Sequence, residues 1–102
     1  MNINELNEEL MNSEKNILER SLKLSDIKKQ YELLRLNINN SFDTTQKEYS
    51  NQQKRDSFID ASVEVVELSK SIKKLEYELA VLRIECDHKH RTFEIMLKSE
   101  LI

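Results

Sequence analysis

The sequence predicts an all-α fold, an antiparallel two-helix hairpin with heptad packing that assembles into a helical bundle. Three observations predict it. Apolar residues recur at seven-residue intervals over two long segments. The 102 residues include no Gly and no Pro, so nothing breaks a helix by force and nothing supplies an easy positive φ for tight hairpin turns. Charged residues make up 34% of the chain and hydrophobic residues 38%, the balance of a long-helix protein rather than of a compact enzyme. The length fits one domain, residues 1–102.

The first helix is expected over about 3–38. One apolar row reads Ile3, Leu10, Ile17, Leu24, Tyr31, Ile38. A second, three residues on, reads Leu6, Ser13, Arg20, Ile27, Leu34, and is weakened at Ser13 and Arg20. Asn2 or Asn4 suits the N-cap, and Glu5, Glu8 and Glu9 suit the positive end of the helix dipole. Residues 39–50, rich in Asn, Ser and Thr, break the pattern and read as the connection. Two capping-box spellings lie there, opening at Thr45 and at Ser50. Ser50 is the favoured N-cap, because Tyr49 can anchor the entering chain; Thr45 is the alternative. The second helix is expected over about 51–99. Its rows are Phe58, Val65, Ile72, Leu79, Cys86, Phe93 and Ala61, Leu68, Leu75, Leu82, Lys89, Met96, with Lys89 the one clear violation.

A bend near Thr45 makes residue i face roughly residue 90 minus i. Ile3 then lies beside Asp87, and residues 88–102 project past the first helix. Glu5, Glu8 and Glu9 approach Arg83, and Lys28 and Lys29 approach Asp60 and Glu64. The overhang carries Phe93, Ile95, Met96, Leu97, Leu101 and Ile102. Further apolar residues lie beside the rows: Met11, Leu18, Leu22, Leu33 and Leu36 on the first helix, and Ile59, Val63, Val66, Tyr77, Val81 and Ile84 on the second. One hairpin seam cannot bury two stripes, and surplus apolar surface of this kind calls for a partner. The expectation is a homo-oligomer, most simply a dimer forming a four-helix bundle, with Phe93, Met96, Leu97 and Leu101 at its interface.

The same residues limit the chemistry. A net charge of -3 gives no overall case for wrapping nucleic acid. A single cysteine, Cys86, excludes an intramolecular disulfide. The N-terminus has no secretory pattern and no stretch is apolar enough to span a bilayer, so the expected address is the cytoplasm. Cys86 and His90 are four apart and share a helix face, as Glu85 and His88 do at three apart. Zinc takes three or four protein ligands and no further pair stands nearby, so no metal or other cofactor is assigned and Cys86 reads as a small seam residue. No catalytic residue is assigned, since a slim coiled coil offers no cleft; the chain reads as non-enzymatic. For contact with a protein partner the bend offers Tyr49, Asn51 and Arg55. The alternative is nucleic acid at the same bend, with Lys47, Lys54 and Arg55 on phosphates and Tyr49 stacking on a base.

Tyr49-Ser50-Asn51-Gln52-Gln53-Lys54-Arg55, the stretch from Leu75 to Arg83, and Phe93-Glu94 resemble a group of small helical-hairpin proteins encoded by phages and prophages of low-GC bacteria. The resemblance covers about the last 55 residues; the first helix is similar in pattern only. It implies a phage accessory protein of the host-cell cytoplasm, acting near DNA-recombination or host-defence machinery.

Overall fold

The computed structural model describes residues 2–101 and the side chains of residues 2–100. The described residues are helical throughout apart from short connections, with no strand among them. Helix α1 spans Ile3–Ser41, a single 3-10 turn spans Lys47–Tyr49, α2 spans Gln52–Ala61 and α3 spans Val63–Leu101. The chain divides into two compact units. Unit 1 joins Met1–Lys23 with Leu75–Ile102, and unit 2 is Leu24–Lys74.

Helix α1 starts as the sequence indicates. Asn2 Oδ1 accepts from the Glu5 amide at 2.9 Å, and Asn2 Nδ2 donates to Glu5 Oε1 at 3.2 Å. One side chain thus satisfies a free first-turn amide, and its neighbour answers it. The other end runs three residues beyond the expected Ile38. No described residue has a positive φ, so the usual left-handed exit is not used. Instead the Ser41 hydroxyl donates to the Ile38 carbonyl at 2.6 Å, and the Phe42 amide closes a short turn on the Asn39 carbonyl three residues back at 3.4 Å.

Helix α2 is capped by Asn51, neither Ser50 nor Thr45. Asn51 Oδ1 accepts from the Lys54 amide at 2.8 Å. Ser50 Oγ points back to the Lys47 carbonyl at 2.9 Å. Thr45 is held by Asp43, which accepts from both its amide and its hydroxyl. Asn reaches the free amides as well as Ser does. The serine and threonine are consumed by the turns that precede the helix.

The expected single helix over 51–99 is two helices. Ser62 separates them with φ -62° and ψ 131°, an extended residue. Its amide closes α2 on the Ile59 carbonyl, and its own carbonyl accepts from the Val66 amide to open α3. The break therefore leaves these backbone groups paired. A serine beside Val63, Val65 and Val66 is a weak point for a helix, because β-branched neighbours lose rotamer freedom there. The consequence is a phase change. In an unbroken helix Phe58 and Val65 share a face within about 20°, whereas Ile59 lies about 120° from Val65. Here Ile59 and Val65 are both 2% exposed, and Phe58 is 48% exposed. Phe58 joins Phe42 and Tyr49 instead. The Phe42 and Tyr49 rings stack at 4.7 Å, and Phe58 meets the edge of Tyr49 at 5.2 Å. The stretch read as polar connection thus holds an aromatic cluster.

The remaining buried residues, Leu6, Leu10, Leu75, Leu79 and Cys86, all belong to the predicted rows. In unit 1 two polar interruptions of those rows meet each other, Lys89 Nζ donating to Ser13 Oγ at 3.0 Å, and the third, Arg20, pairs with Glu78 from outside the rows at 3.1 Å. A half-exposed pair such as Arg20–Glu78 contributes up to about 1 kcal/mol. Its larger effect is on register, because a charge in an apolar row tolerates few alternative partners.

That register differs from the expected one. Ser13 meets Lys89 rather than Tyr77, and Glu14 meets His90 at 2.9 Å. Residues 88–90 therefore lie alongside α1 and do not project past it. Phe93 and Met96 are half-buried and Leu97 is 42% exposed. The side chain of Leu101 and all of Ile102 lie outside the described residues. In unit 2, Arg35 binds Asp60, the acid expected beside Lys28 or Lys29. The expected offset assumed two straight rods about Thr45. The Arg35–Asp60 pair, which precedes Ser62, is already displaced from that offset, and the pairs of unit 1 depart from it further.

Candidate functional site

Unit 1 gathers its reactive side chains at one level of α1 and α3. Cys86 and His90 are one helical turn apart on α3 and project on the same side, as spacing by four requires. Glu14 arrives from α1, 72 positions before Cys86. The Glu14 carboxylate, the Cys86 sulfur and a His90 ring nitrogen bring one donor atom each within 4.8 Å of one another. Glu14 Oε1 and His90 Nε2 are 2.9 Å apart, a hydrogen bond that becomes an ion pair when the ring is protonated. Glu14 and His90 are exposed, and Cys86 is buried. Burial, reinforced by the negative charges of Glu14 and Asp87, pushes the Cys86 thiol up from its ordinary range; Lys89 opposes this. The thiol is thus a protonated side chain at neutral pH, unsuited to act unaided as a nucleophile.

The pairing of Cys86 with His90 was legible from their spacing. Glu14 was not, because only the fold brings it there. His88 is not in this cluster. With Ile84, Glu85, Asp87, Lys89 and Arg91 it lines an open depression of about 550 Å³ on α3.

Unit 2 holds the three residues assigned to partner contact at the bend, and all three are engaged within the chain. Asn51 caps α2. Tyr49 is stacked on Phe42 and edged by Phe58. Arg55 donates to the Tyr49 carbonyl at 2.7 Å, to Asn39 Oδ1 at 3.1 Å and to Gln52 Oε1 at 3.0 Å. A planar guanidinium fork thereby ties the end of α1, the turn and the start of α2 together. Nearby, Asp43 accepts from the side chain and amide of Thr45, which holds its carboxyl below the usual range. Arg35, bonded to Asp60 and lying over the Tyr31 ring at 5.5 Å, is held above its ordinary range, chiefly by the Asp60 hydrogen bond.

The Arg55 contacts yield a prediction. Arg55→Ala is expected to lower stability by about 2–3 kcal/mol, since hydrogen bonds from a charged donor count for about 1.5–3 kcal/mol each and losses within one network do not add. Urea unfolding monitored by circular dichroism measures it. A change within about 0.5 kcal/mol, the size of an ordinary surface substitution, is the opposing result.

No family model, curated protein or solved structure matches the chain.

In unit 1 the helix surfaces are two-sided. Leu6, Leu10 and Cys86 are covered, whereas Met11, Leu18 and Leu22 on α1 and Tyr77, Ile84 and Ile95 on α3 are open to solvent. On each helix the open residues lie about a third of a turn or more from the covered row. In unit 2, Leu33, Leu36, Val63 and Val66 are likewise exposed, while Ile59 of the same predicted set is buried. No described helix is long and apolar enough to cross a membrane.

Proposed function

We propose that the protein is a non-enzymatic interaction protein that works through helix-to-helix contacts. In this reading its arms form an antiparallel hairpin packed along the heptad rows, and a second copy completes a helical bundle. The supporting observation is the second apolar face of unit 1. Met11, Leu18 and Leu22 recur at spacings of seven and four on α1, and all three are exposed. A lone helix pair has no further element to cover such a face, and contiguous exposed apolar surface marks an interaction site. Phe93, Met96 and Leu97 retain a place at the interface through their partial exposure rather than through an overhang.

On the resemblance to phage helical-hairpin proteins, our reading is of an accessory protein of the host cytoplasm, where the assembled protein would modulate DNA-processing or defence machinery. The alternative use of the bend for nucleic acid draws less support, because the Tyr49 ring and the Arg55 guanidinium are already occupied.

Sedimentation equilibrium of the full chain at micromolar concentration tests the self-pairing. The expected mass is that of a dimer. Leu18→Glu combined with Ile84→Glu should reduce it to that of one chain while helicity is kept. A monomeric mass for the unaltered chain overturns the bundle.

A further inference from the structure

We infer that Glu14, Cys86 and His90 form a binding site for a zinc-like divalent cation, with its fourth position open to water. The reading does not depend on self-association, because all three ligands come from unit 1 of one chain.

The donor set carries the argument. Thiolate, imidazole and carboxylate are the ligand types that zinc accepts together, whereas magnesium and calcium require oxygen alone. With Cys86 ionised and His90 neutral, the set holds two negative charges against the two positive charges of the ion. Beyond it, Asp87 and Lys89 are of opposite sign, and Lys89 is directed to Ser13.

Geometry agrees. Bonds of about 2.0–2.3 Å at tetrahedral angles put ligand atoms about 3.3–3.6 Å apart. The spacings here bracket that range, from 2.9 Å between Glu14 Oε1 and His90 Nε2 to the 4.8 Å that encloses all three donors. Side-chain rotation alone supplies the remaining change, and two of the three side chains are exposed and free to make it. The ion takes the place of the proton shared between Glu14 and His90. His90 binds through Nε2 with its ring proton on Nδ1. The Cys86 thiol gives its proton to solvent as the sulfur–metal bond forms, so binding consumes no oxidant and releases acid. Exposure of Glu14 and His90 leaves the fourth side to water, the arrangement of an open rather than a closed zinc site.

Cobalt(II) titration of the reduced, metal-free full chain tests this, because cobalt reports thiolate ligation as a near-ultraviolet charge-transfer band and four-coordination as intense visible absorption. One cobalt per chain is expected, with both signals, and zinc should displace it. Cys86→Ser should abolish the charge-transfer band. Because a hydroxyl buried there can disturb the fold, the exposed ligands give the sharper comparison. Glu14→Gln and His90→Asn, each with unaltered helicity, should weaken binding about tenfold or more. His88→Asn should bind as the unaltered chain does. The proposal is overturned by an absence of the charge-transfer band at millimolar cobalt, or by a band that persists unchanged in Glu14→Gln and His90→Asn.

Discussion

Leu79→Ala is expected to remove about 2–5 kcal/mol of stability, the range for emptying a well-covered leucine site. Leu79 is 2% exposed in unit 1, with Leu75 and Cys86 buried one turn before and two turns after it on α3. Domains of this size hold about 5–15 kcal/mol in all, so the loss is a large fraction of the total. The informative control is Ile84→Ala, five residues on. Ile84 is 69% exposed, and its truncation should change the stability of the single chain by no more than about 0.5 kcal/mol. Urea unfolding at a dilution where the chain is monomeric separates the two. At higher concentration the order narrows, because Ile84 lies on the face proposed to be covered by a second copy. Equal losses at both dilutions would show that the inner and outer faces of α3 are not distinct in solution.

The second large effect concerns the break at Ser62. Ile59→Ala should cost about 2–5 kcal/mol, and Phe58→Ala about 1 kcal/mol, the size of an aromatic contact at a half-exposed ring. An uninterrupted heptad running from Phe58 through Val65 demands the reverse order, since it makes Phe58 the core residue and Ile59 the flanking one. The ranking of the two unfolding midpoints therefore decides whether the phase change exists in solution. A larger loss for Phe58→Ala than for Ile59→Ala removes the break.

These contrasts also mark where the sequence was legible. Seven-residue spacing writes a helix face directly, which is why Leu6, Leu10, Val65, Leu75, Leu79 and Cys86 could be identified as interior before any fold was known. The flanking residues were equally plain: Met11, Leu18, Leu22, Leu33 and Leu36 are all exposed. What escaped was whatever depends on phase or on distance along the chain. Ser62 is one residue of modest helix preference, and its effect is visible only as a change of partner for Phe58 and Ile59. A register taken from a midpoint at Thr45 leaves Lys89 as an isolated fault in its row and Ser13 as another. They are one feature, a lysine bonded to a serine. Glu14 was one of many acids on an outer face until the same register brought it to His90. At the bend, Asn, Ser and Thr compete for the same capping role, and sequence spelling does not show which of them the preceding turn has already engaged.

The separations of bonded residues along the chain rank the entropic cost of closing each contact. In unit 2, Gln52 and Arg55 reach Asn39 across 13 and 16 positions, and Asp60 reaches Arg35 across 25. In unit 1, Glu78 and Arg20 are 58 apart, and Lys89 and Ser13 are 76 apart. Closing a flexible loop costs about 0.6 kcal/mol more for each doubling of its length. The contacts around Asn39 and Arg55 are therefore the least costly to form from a disordered chain. The contacts of unit 1 span the longest stretches of chain and carry the larger closure cost, and the Glu14 and His90 pair of the candidate cation site, 76 positions apart, is among them.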